Sequence, residues 1–157
     1  MLLLTGEYRH VVDKKGRVLI ANRLRSQIDE SEYGSHFYLL LGANGILCLY
    51  PDQYFERMSG SVVPDVTASD EAVAFERMSF AFANRIEVDN QGRILLTDRL
   101  RKRAGLTEHI VMIGVRDHVE LWNEPDWEQY VSDHMQQFQK QMSQARRNLL
   151  QNKTVQP

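Results

Sequence analysis

Two short segments of the chain combine residue types that can bind a nucleic acid. They are Asp13-Lys14-Lys15-Gly16-Arg17 and Asp89-Asn90-Gln91-Gly92-Arg93. In each segment a carboxylate and a guanidinium lie at the two ends of a glycine-containing turn, where they can pair and where the Asp can accept backbone N–H groups. An arginine presented by such a turn can bond guanine O6 and N7, and a lysine can contact phosphate or base. The spacing therefore fits two alternatives: a salt-bridged turn with a purely structural role, or a hairpin that binds DNA.

The charge of the chain restricts DNA binding to a local patch. The formal net charge is −2 and the isoelectric point is about 6.2, so the whole molecule carries no basic signature. The predicted DNA-binding residues are Lys14, Lys15, Arg17, Arg23, Asn90, Gln91 and Arg93, and the residues predicted to shape the two turns are Asp13, Gly16, Asp89 and Gly92. We expect the first segment to contribute more, because Asn90 and Gln91 keep hydrogen-bonding capacity but lack two positive charges. A solvated charged face remains the alternative.

The two segments belong to an internal duplication. Residues 13–25 resemble residues 89–101, and the similarity extends to two later pairs of segments, 39–42 with 111–114 and 47–50 with 119–122. The first copy carries about four extra residues, which fit best in a surface loop at residues 29–35. A repeat of this length forms only a marginal core alone. The sequence therefore predicts two copies that share one core across a pseudo-twofold axis.

Hydrophobic patterns predict an α+β fold for each copy. In the first copy the strands at residues 7–12 and 18–20 are expected to pair as a tight hairpin around Lys15-Gly16. A short helix follows from Asn22, then strands at 36–41 and 46–50 around a turn, then a helix at 51–58. The second copy repeats this order, with its helix at 98–104 ended by Gly105. The predicted domains are a first repeat at 6–59, a linker with a helix at 60–81, a second repeat at 82–124 and a C-terminal helix at 125–150.

Two further helices are predicted outside the strands of the repeats. Residues 60–66 look like a loop, after which the linker helix places Ala72, Phe75, Ser79 and Phe82 on one face. The long C-terminal helix carries apolar residues at steps of three and four, and its end at 151–157 is expected to fray. That apolar stripe consists of Trp127, Val131, His134, Phe138, Met142, Ala145 and Leu149. It favours either packing on its own domain or contact with another subunit.

The sequence carries no recognisable enzyme motif. The five histidines are dispersed, and no zinc-protease, Walker or nucleophile-elbow motif is present. Asp117, His118 and Glu120 favour a solvated strand face over catalysis, and Cys48 is expected to be a small buried residue, not a reactive thiol. We therefore expect no catalytic residue, metal, cofactor or small-molecule substrate. The absence of a signal peptide or a long apolar run is typical of a cytosolic protein without a membrane segment.

These features together resemble the MraZ family. The resemblance rests on Gly6-Glu7-Tyr8 with the first charged segment, on Asp89-Asn90-Gln91-Gly92-Arg93-Ile94 with Leu100-Arg101 and Ala104-Gly105-Leu106, and on Val119-Glu120-Leu121-Trp122 with Trp127. It covers residues 6 to 145 and both copies. The chain departs from the family at residues 2–5, where the family has a shorter lead, and at Ala21 and Thr97, where the family commonly has proline.

The resemblance implies a fold and a function. The fold is two tandem swapped-hairpin, AbrB-like, β-barrel-type repeats with peripheral helices and a long C-terminal helix. The function is a bacterial transcription regulator, chiefly a repressor, of the division and cell-wall gene cluster. Such a protein is expected to be a ring-shaped homo-oligomer at the nucleoid that binds double-stranded DNA at short G-rich direct repeats upstream of its own operon. The family's DNA contacts correspond here to Lys14, Lys15 and Arg17, with Asn90, Gln91 and Arg93 as the second set.

A function of a different class also fits the same residues. The basic hairpins of an oligomeric scaffold can bind an acidic protein partner. Salt dependence together with sequence preference separates the two hypotheses, because only specific DNA binding survives competitor DNA.

Overall fold

The computed structural model describes residues 1–61 and 67–153. The elements in chain order are β1 (Glu7–Val11), β2 (Arg17–Leu19), α1 (Asn22–Arg25), α2 (Glu30–Tyr33), β3 (Phe37–Leu41), β4 (Leu47–Pro51), α3 (Asp52–Gly60), α4 (Asp70–Phe82), β5 (Asn84–Ile86), β6 (Arg93–Leu95), α5 (Asp98–Ala104), β7 (His109–Val115), β8 (His118–Asn123) and α6 (Glu124–Lys153). Residues 1–124 form one compact unit, and the chain from Pro125 forms another. The predicted loop at 60–66 and the predicted frayed end at 151–157 lie mostly outside the described residues.

Strands of both copies interleave in one six-stranded antiparallel sheet. Its strand order is β1-β7-β8-β4-β3-β5. The first copy contributes β1, β3 and β4, and the second contributes β5, β7 and β8. In the two copies β1 corresponds to β5, β3 to β7 and β4 to β8. The strand order is therefore symmetric: with the copies exchanged, it reads the same from the opposite edge of the sheet. The middle of the sheet is therefore the β4–β8 pair, where the two copies meet in register.

Buried apolar side chains from both copies form the core of residues 1–124. Leu39 and Leu49 of the first copy and Met112 and Leu121 of the second are each no more than 1% exposed. In β7, four consecutive residues from Ile110 are buried, as expected for a strand covered on both faces. Full burial of a leucine side chain contributes about 1.5–3 kcal/mol relative to exposure. The strands of the two copies thus stabilise each other.

The predicted tight hairpin between the strands at 7–12 and 18–20 is wrong. The turn itself forms, because the Asp13 N–H donates to the Arg17 carbonyl at 2.8 Å. Beyond the turn the two strands separate, and β1 pairs with β7 while β2 pairs with β6. Both partners belong to the second copy. Hydrophobic periodicity identifies a strand but not its partner, which is why the local pattern led to the wrong pairing.

The β-barrel-type closure implied by the resemblance is also wrong. Among the described residues the large sheet ends at β1 and β5, and β2 with β6 forms a separate two-stranded sheet, the β2–β6 ribbon. A closed barrel requires its first and last strands to pair. The fold is therefore an open mixed arrangement of strands and helices.

Local signals explain both boundaries of α5. Thr97 caps α5 by accepting the Leu100 N–H at 3.4 Å, and Gly105 ends it with a φ of +61°. The helix predicted at 98–104 is therefore confirmed, with a threonine cap where the family commonly has proline. The sequence did not predict α2, which lies in the segment expected to be a surface loop and buries Tyr33.

The linker helix and the C-terminal helix form where the sequence predicts them. Ser69 caps α4 by accepting the Ala72 N–H, and α6 begins at Glu124. The predicted apolar face of α4 does not enter the core, because Phe75 is 75% exposed. Phe138 and Met142 of α6 are also more than half exposed. No described helix is both long and apolar enough to cross a membrane.

Candidate nucleic-acid interface

Asp13 organises the first turn, residues 13–17. Its Oδ1 accepts the backbone N–H groups of Lys15 and Arg17, each at 2.9 Å, and its Oδ2 accepts Nε of Arg17 at 2.8 Å. The Gly16 N–H donates to the Asp13 carbonyl at 2.9 Å. One carboxylate therefore fixes both the backbone of the turn and the direction of the arginine. The predicted Asp–Arg ion pair is confirmed.

The second turn, residues 89–93, repeats this geometry. Asp89 Oδ1 accepts the N–H groups of Gln91 and Arg93 at 2.9 Å, and Oδ2 accepts Nε of Arg93 at 2.8 Å. Gly16 and Gly92 both have a φ of +79°, a conformation that glycine adopts without steric cost. The spacing of Asp, Gly and Arg thus produces the same structure in both copies.

The arginines keep donors for another partner. Each ion pair uses Nε, and the Arg17 and Arg93 side chains remain 34% and 27% exposed. A guanidinium carries further donors on its two terminal nitrogens, in a planar fork that matches guanine O6 and N7. The turn therefore orients each arginine while leaving its end accessible.

The β2–β6 ribbon brings the two turns into one structure. Val18 pairs with Ile94 at the centre of the ribbon, and both side chains are 1% exposed. Arg17 and Arg93 each precede one member of this pair, so they lie on the opposite face as diagonal neighbours, about 7–8 Å apart between Cα atoms. Because the strands are antiparallel, the two turns lie at opposite ends of the ribbon. The ribbon thus presents two oriented arginines on one face.

Each turn is also bonded to the other copy. The Ile20 N–H donates to the Gly92 carbonyl at 2.9 Å, and the Leu96 N–H donates to the Gly16 carbonyl at 2.8 Å. These reciprocal bonds fix the turns relative to each other. Neither turn is an independent hairpin, so the arrangement depends on both copies being folded together.

The tips of the turns are exposed but differ in charge. Lys14 and Lys15 are exposed in the first turn, and Asn90 and Gln91 are exposed at the equivalent positions of the second. Arg23, on α1, is exposed as well. The structure therefore places every predicted DNA-binding residue at or near the surface, and it brings all of them except Arg23 into the two turns.

Arg25 belongs to the same basic stretch as Arg23, but the predicted DNA-binding residues do not include it. Its guanidinium lies over the second turn, so closely that a Cβ atom added to Gly92 would be 2.7 Å from it. Nη2 of Arg25 donates to Asn22 Oδ1 at 3.4 Å. Its proximity to the other copy's turn follows from the strand pairing, which the sequence does not reveal.

Hydrogen bonding perturbs the two turn carboxylates in the same direction. The backbone N–H of Arg17 is the largest cause that holds the pKa of Asp13 below its ordinary value, and the Arg17 side chain and Lys15 N–H add to it. The Arg93 and Gln91 groups lower the pKa of Asp89 in the same way. Both carboxylates are therefore charged at neutral pH and keep their arginines oriented.

The solvated strand face predicted at residues 117–120 is wrong. The side chains of His118 and Glu120 are only 15% and 22% exposed. His118 Nδ1 lies 2.7 Å from Asp117 Oδ1. These groups form a half-buried polar cluster, because Cys48 and Tyr50 of the neighbouring strand β4 lie beside them.

Comparison with protein families gives two matches along the chain. The family described as "MraZ protein, putative antitoxin-like" matches residues 3–75 and again residues 79–151. The chain belongs to the MraZ family. The two matches correspond to the two copies of the repeat, so the structure contains two tandem MraZ domains that share a sheet.

Relatives of this MraZ-family chain resemble it over most of its length. A protein of Lachnoclostridium phytofermentans, named transcriptional regulator MraZ, is 33% identical over 141 residues, which cover 90% of this chain and 96% of the relative. A protein of Acetivibrio thermocellus with the same name is 37% identical over 128 residues, covering 82% and 86%. One from Caldicellulosiruptor saccharolyticus is 36% identical over 131 residues, covering 83% and 88%. These names are those of regulators and not of enzymes.

Proposed function

We propose that this chain is a transcription regulator that binds specific DNA through its two turns. The observation that carries this proposal is the matched pair of Asp-oriented arginines on one face of the β2–β6 ribbon. Relatives at 33–37% identity carry the name of a transcriptional regulator, which supports the same function. The chain uses no catalytic step or cofactor in this role.

The two kinds of residue in the turns have different tasks. Arg17 and Arg93 read bases, because an oriented guanidinium can bond the O6 and N7 atoms of one guanine. Lys14 and Lys15 contact phosphates and supply charge, while Asn90 and Gln91 supply hydrogen bonds without charge. Arg23, which is exposed on α1, adds a phosphate contact.

Exposed apolar side chains support assembly into a homo-oligomer. Phe75 and Met78 of α4 are 75% and 53% exposed, and Phe138 and Leu149 of α6 are 54% and 65% exposed. Large apolar side chains left exposed along a helix are available for contact with another subunit. A ring of subunits would present many turns together and would explain DNA binding by a chain of net charge −2, because linked weak contacts gain effective concentration.

Membership in the MraZ family supports the finer parts of the proposal. The swapped-hairpin, AbrB-like description agrees with strands that pair between copies. The target is a set of short G-rich direct repeats upstream of the chain's own operon, in the division and cell-wall gene cluster. The protein acts there chiefly as a repressor, in the cytoplasm and at the nucleoid.

Fluorescence anisotropy on a labelled fragment of the native upstream region tests this function. We expect the wild type to bind that fragment more tightly than a scrambled fragment of equal length, and Arg17→Ala to lose about 1–3 kcal/mol of this preference. Arg77→Ala, at an exposed arginine of α4, is the matched control and should keep it. Equal, weak binding of both fragments by the wild type would contradict the proposal and would favour a scaffold that binds an acidic protein.

A further inference from the structure

A cluster of three metal-ligating side chains lies on the large sheet, outside the two turns. The ligand atoms of Cys48, His118 and Glu120 all lie within 4.8 Å of one another. Cys48 is buried, whereas His118 and Glu120 are partly exposed. The cluster can therefore be reached by an ion from one side while its thiol is shielded.

The position of the cluster follows from the duplication. Cys48 of β4 and Glu120 of β8 occupy equivalent places in the two copies, and they pair with each other in the strand register. The cluster thus lies where the two copies meet, at the middle of the sheet. An ion held there would be bonded to both copies at once.

Neighbouring groups hold His118 and Glu120, two of the three side chains, in place. Asp117 Oδ1 lies 2.7 Å from His118 Nδ1, which leaves Nε2 directed toward Glu120 Oε1 at 3.5 Å. Trp122 Nε1 donates to Glu120 Oε2 at 2.8 Å, and the Tyr50 ring stacks on the His118 ring at 4.8 Å. A carboxylate behind a histidine and a donor behind a carboxylate are typical supports of metal ligands.

The distances are close to those of a tetrahedral zinc site. Zinc bonds of about 2.0–2.3 Å place neighbouring ligand atoms roughly 3.4–3.6 Å apart. The His118–Glu120 pair already has that separation, and the other ligand atoms, all within 4.8 Å of one another, need only small side-chain shifts to reach it. Thiolate, imidazole and carboxylate together favour zinc over magnesium or calcium, which prefer oxygen ligands alone.

We propose that Cys48, His118 and Glu120 bind one Zn²⁺ ion that links the two copies of the repeat, with water as a fourth ligand. Asp117 is a positioning residue that fixes the His118 ring. The ion stabilises the folded chain by binding it in preference to the unfolded chain. This proposal does not depend on DNA binding.

Zinc titration of the full chain against a competing chelator tests the site. Thiolate and neutral imidazole are the forms that bind zinc, so binding releases protons and the titration is best run at about pH 8. We expect one Zn²⁺ per chain, proton release on binding and a higher thermal midpoint. Cys48→Ser and His118→Gln should each weaken binding at least tenfold, and Asp117→Asn should weaken it roughly 10–100-fold.

The exposed histidine of β7 provides the matched control. His109→Gln should bind zinc as the wild type does, because His109 lies outside the cluster. Cobalt binding to the wild type is a second test, and it does not depend on whether a variant folds. A sulfur-to-cobalt charge-transfer band in the absorption spectrum requires the Cys48 thiolate as a ligand. Absence of that band, or zinc binding unchanged by both Cys48→Ser and His118→Gln, would overturn the proposal.

Discussion

Two lysines occupy the tip of the first turn, whereas Asn90 and Gln91 occupy the same positions in the second. The bonds from Asp13 and Asp89 nevertheless agree to within 0.1 Å. The geometry of a turn therefore depends on its Asp, Gly and Arg, and the tip residues are free to vary. Duplication has kept the structure that orients an arginine and changed the charge that accompanies it.

The atoms that pack against Gly16 differ from those that pack against Gly92. This contrast predicts the largest effect, a difference in the free energy of unfolding between the two alanine variants. Alanine at either position must adopt a positive φ, at a cost of about 1–2 kcal/mol. A Cβ at Gly16 would also lie 2.7 Å from the backbone oxygen of Leu96, whereas a Cβ at Gly92 would meet the flexible Arg25 side chain. We expect Gly16→Ala to lower the free energy of unfolding by clearly more than Gly92→Ala, as measured by urea denaturation. Equal losses would show that the two turns pack alike.

Exchanging the tip residues tests whether charge is the functional difference between the turns. Lys14→Asn/Lys15→Gln gives the first turn the tip of the second, and Asn90→Lys/Gln91→Lys does the reverse. Each lysine on a phosphate contributes about 0.9 to the slope of log affinity against log salt. For the first variant we expect the slope to become about 1.8 shallower and the affinity for DNA to fall roughly tenfold. For the second variant we expect the slope to become steeper and the affinity to rise by similar amounts.

A control for this exchange changes the charge elsewhere by the same amount. Lys102→Asn/Lys140→Gln removes two exposed lysines on α5 and α6. It should leave the slope close to that of the wild type. A loss as large as that of the first-turn variant would mean that net charge, and not the turns, governs binding.

The smallest effect concerns the turn carboxylates at low pH. Because the folded pKa values of Asp13 and Asp89 lie below the ordinary value of 3.8, their stabilisation is present above that value and is lost as the pH falls through the folded pKa. We expect Asp13→Asn/Asp89→Asn to be less stable than the wild type at pH 7 and to approach it below pH 3. A stability gap that persists unchanged at low pH would contradict this account of the turns.

The sequence predicted local structure better than it predicted pairing. The Asp–Arg bonds of the turns and the end of α5 at Gly105 depend on residues close in sequence, so their spacing was sufficient. The partner of β2 depends on contacts between copies, and the local pattern suggested β1 in place of β6. The same limit explains why Arg25 was missed at the second turn.

Polar residues on strands were misread for a related reason. His118 and Glu120 alternate with Val119, which is the pattern of a strand with one solvated face. They are half-buried because β4 of the other copy brings Cys48 beside them. Only the order of strands in the sheet brings these three residues together.

Anisotropy of Arg17→Ala/Arg93→Ala beside the wild type, on the native upstream fragment at several salt concentrations, tests the central claim most directly. We expect the double variant to lose its preference over a scrambled fragment while keeping the salt dependence that its lysines supply. Preference and affinity equal to those of the wild type would contradict the claim that the two oriented arginines read the DNA.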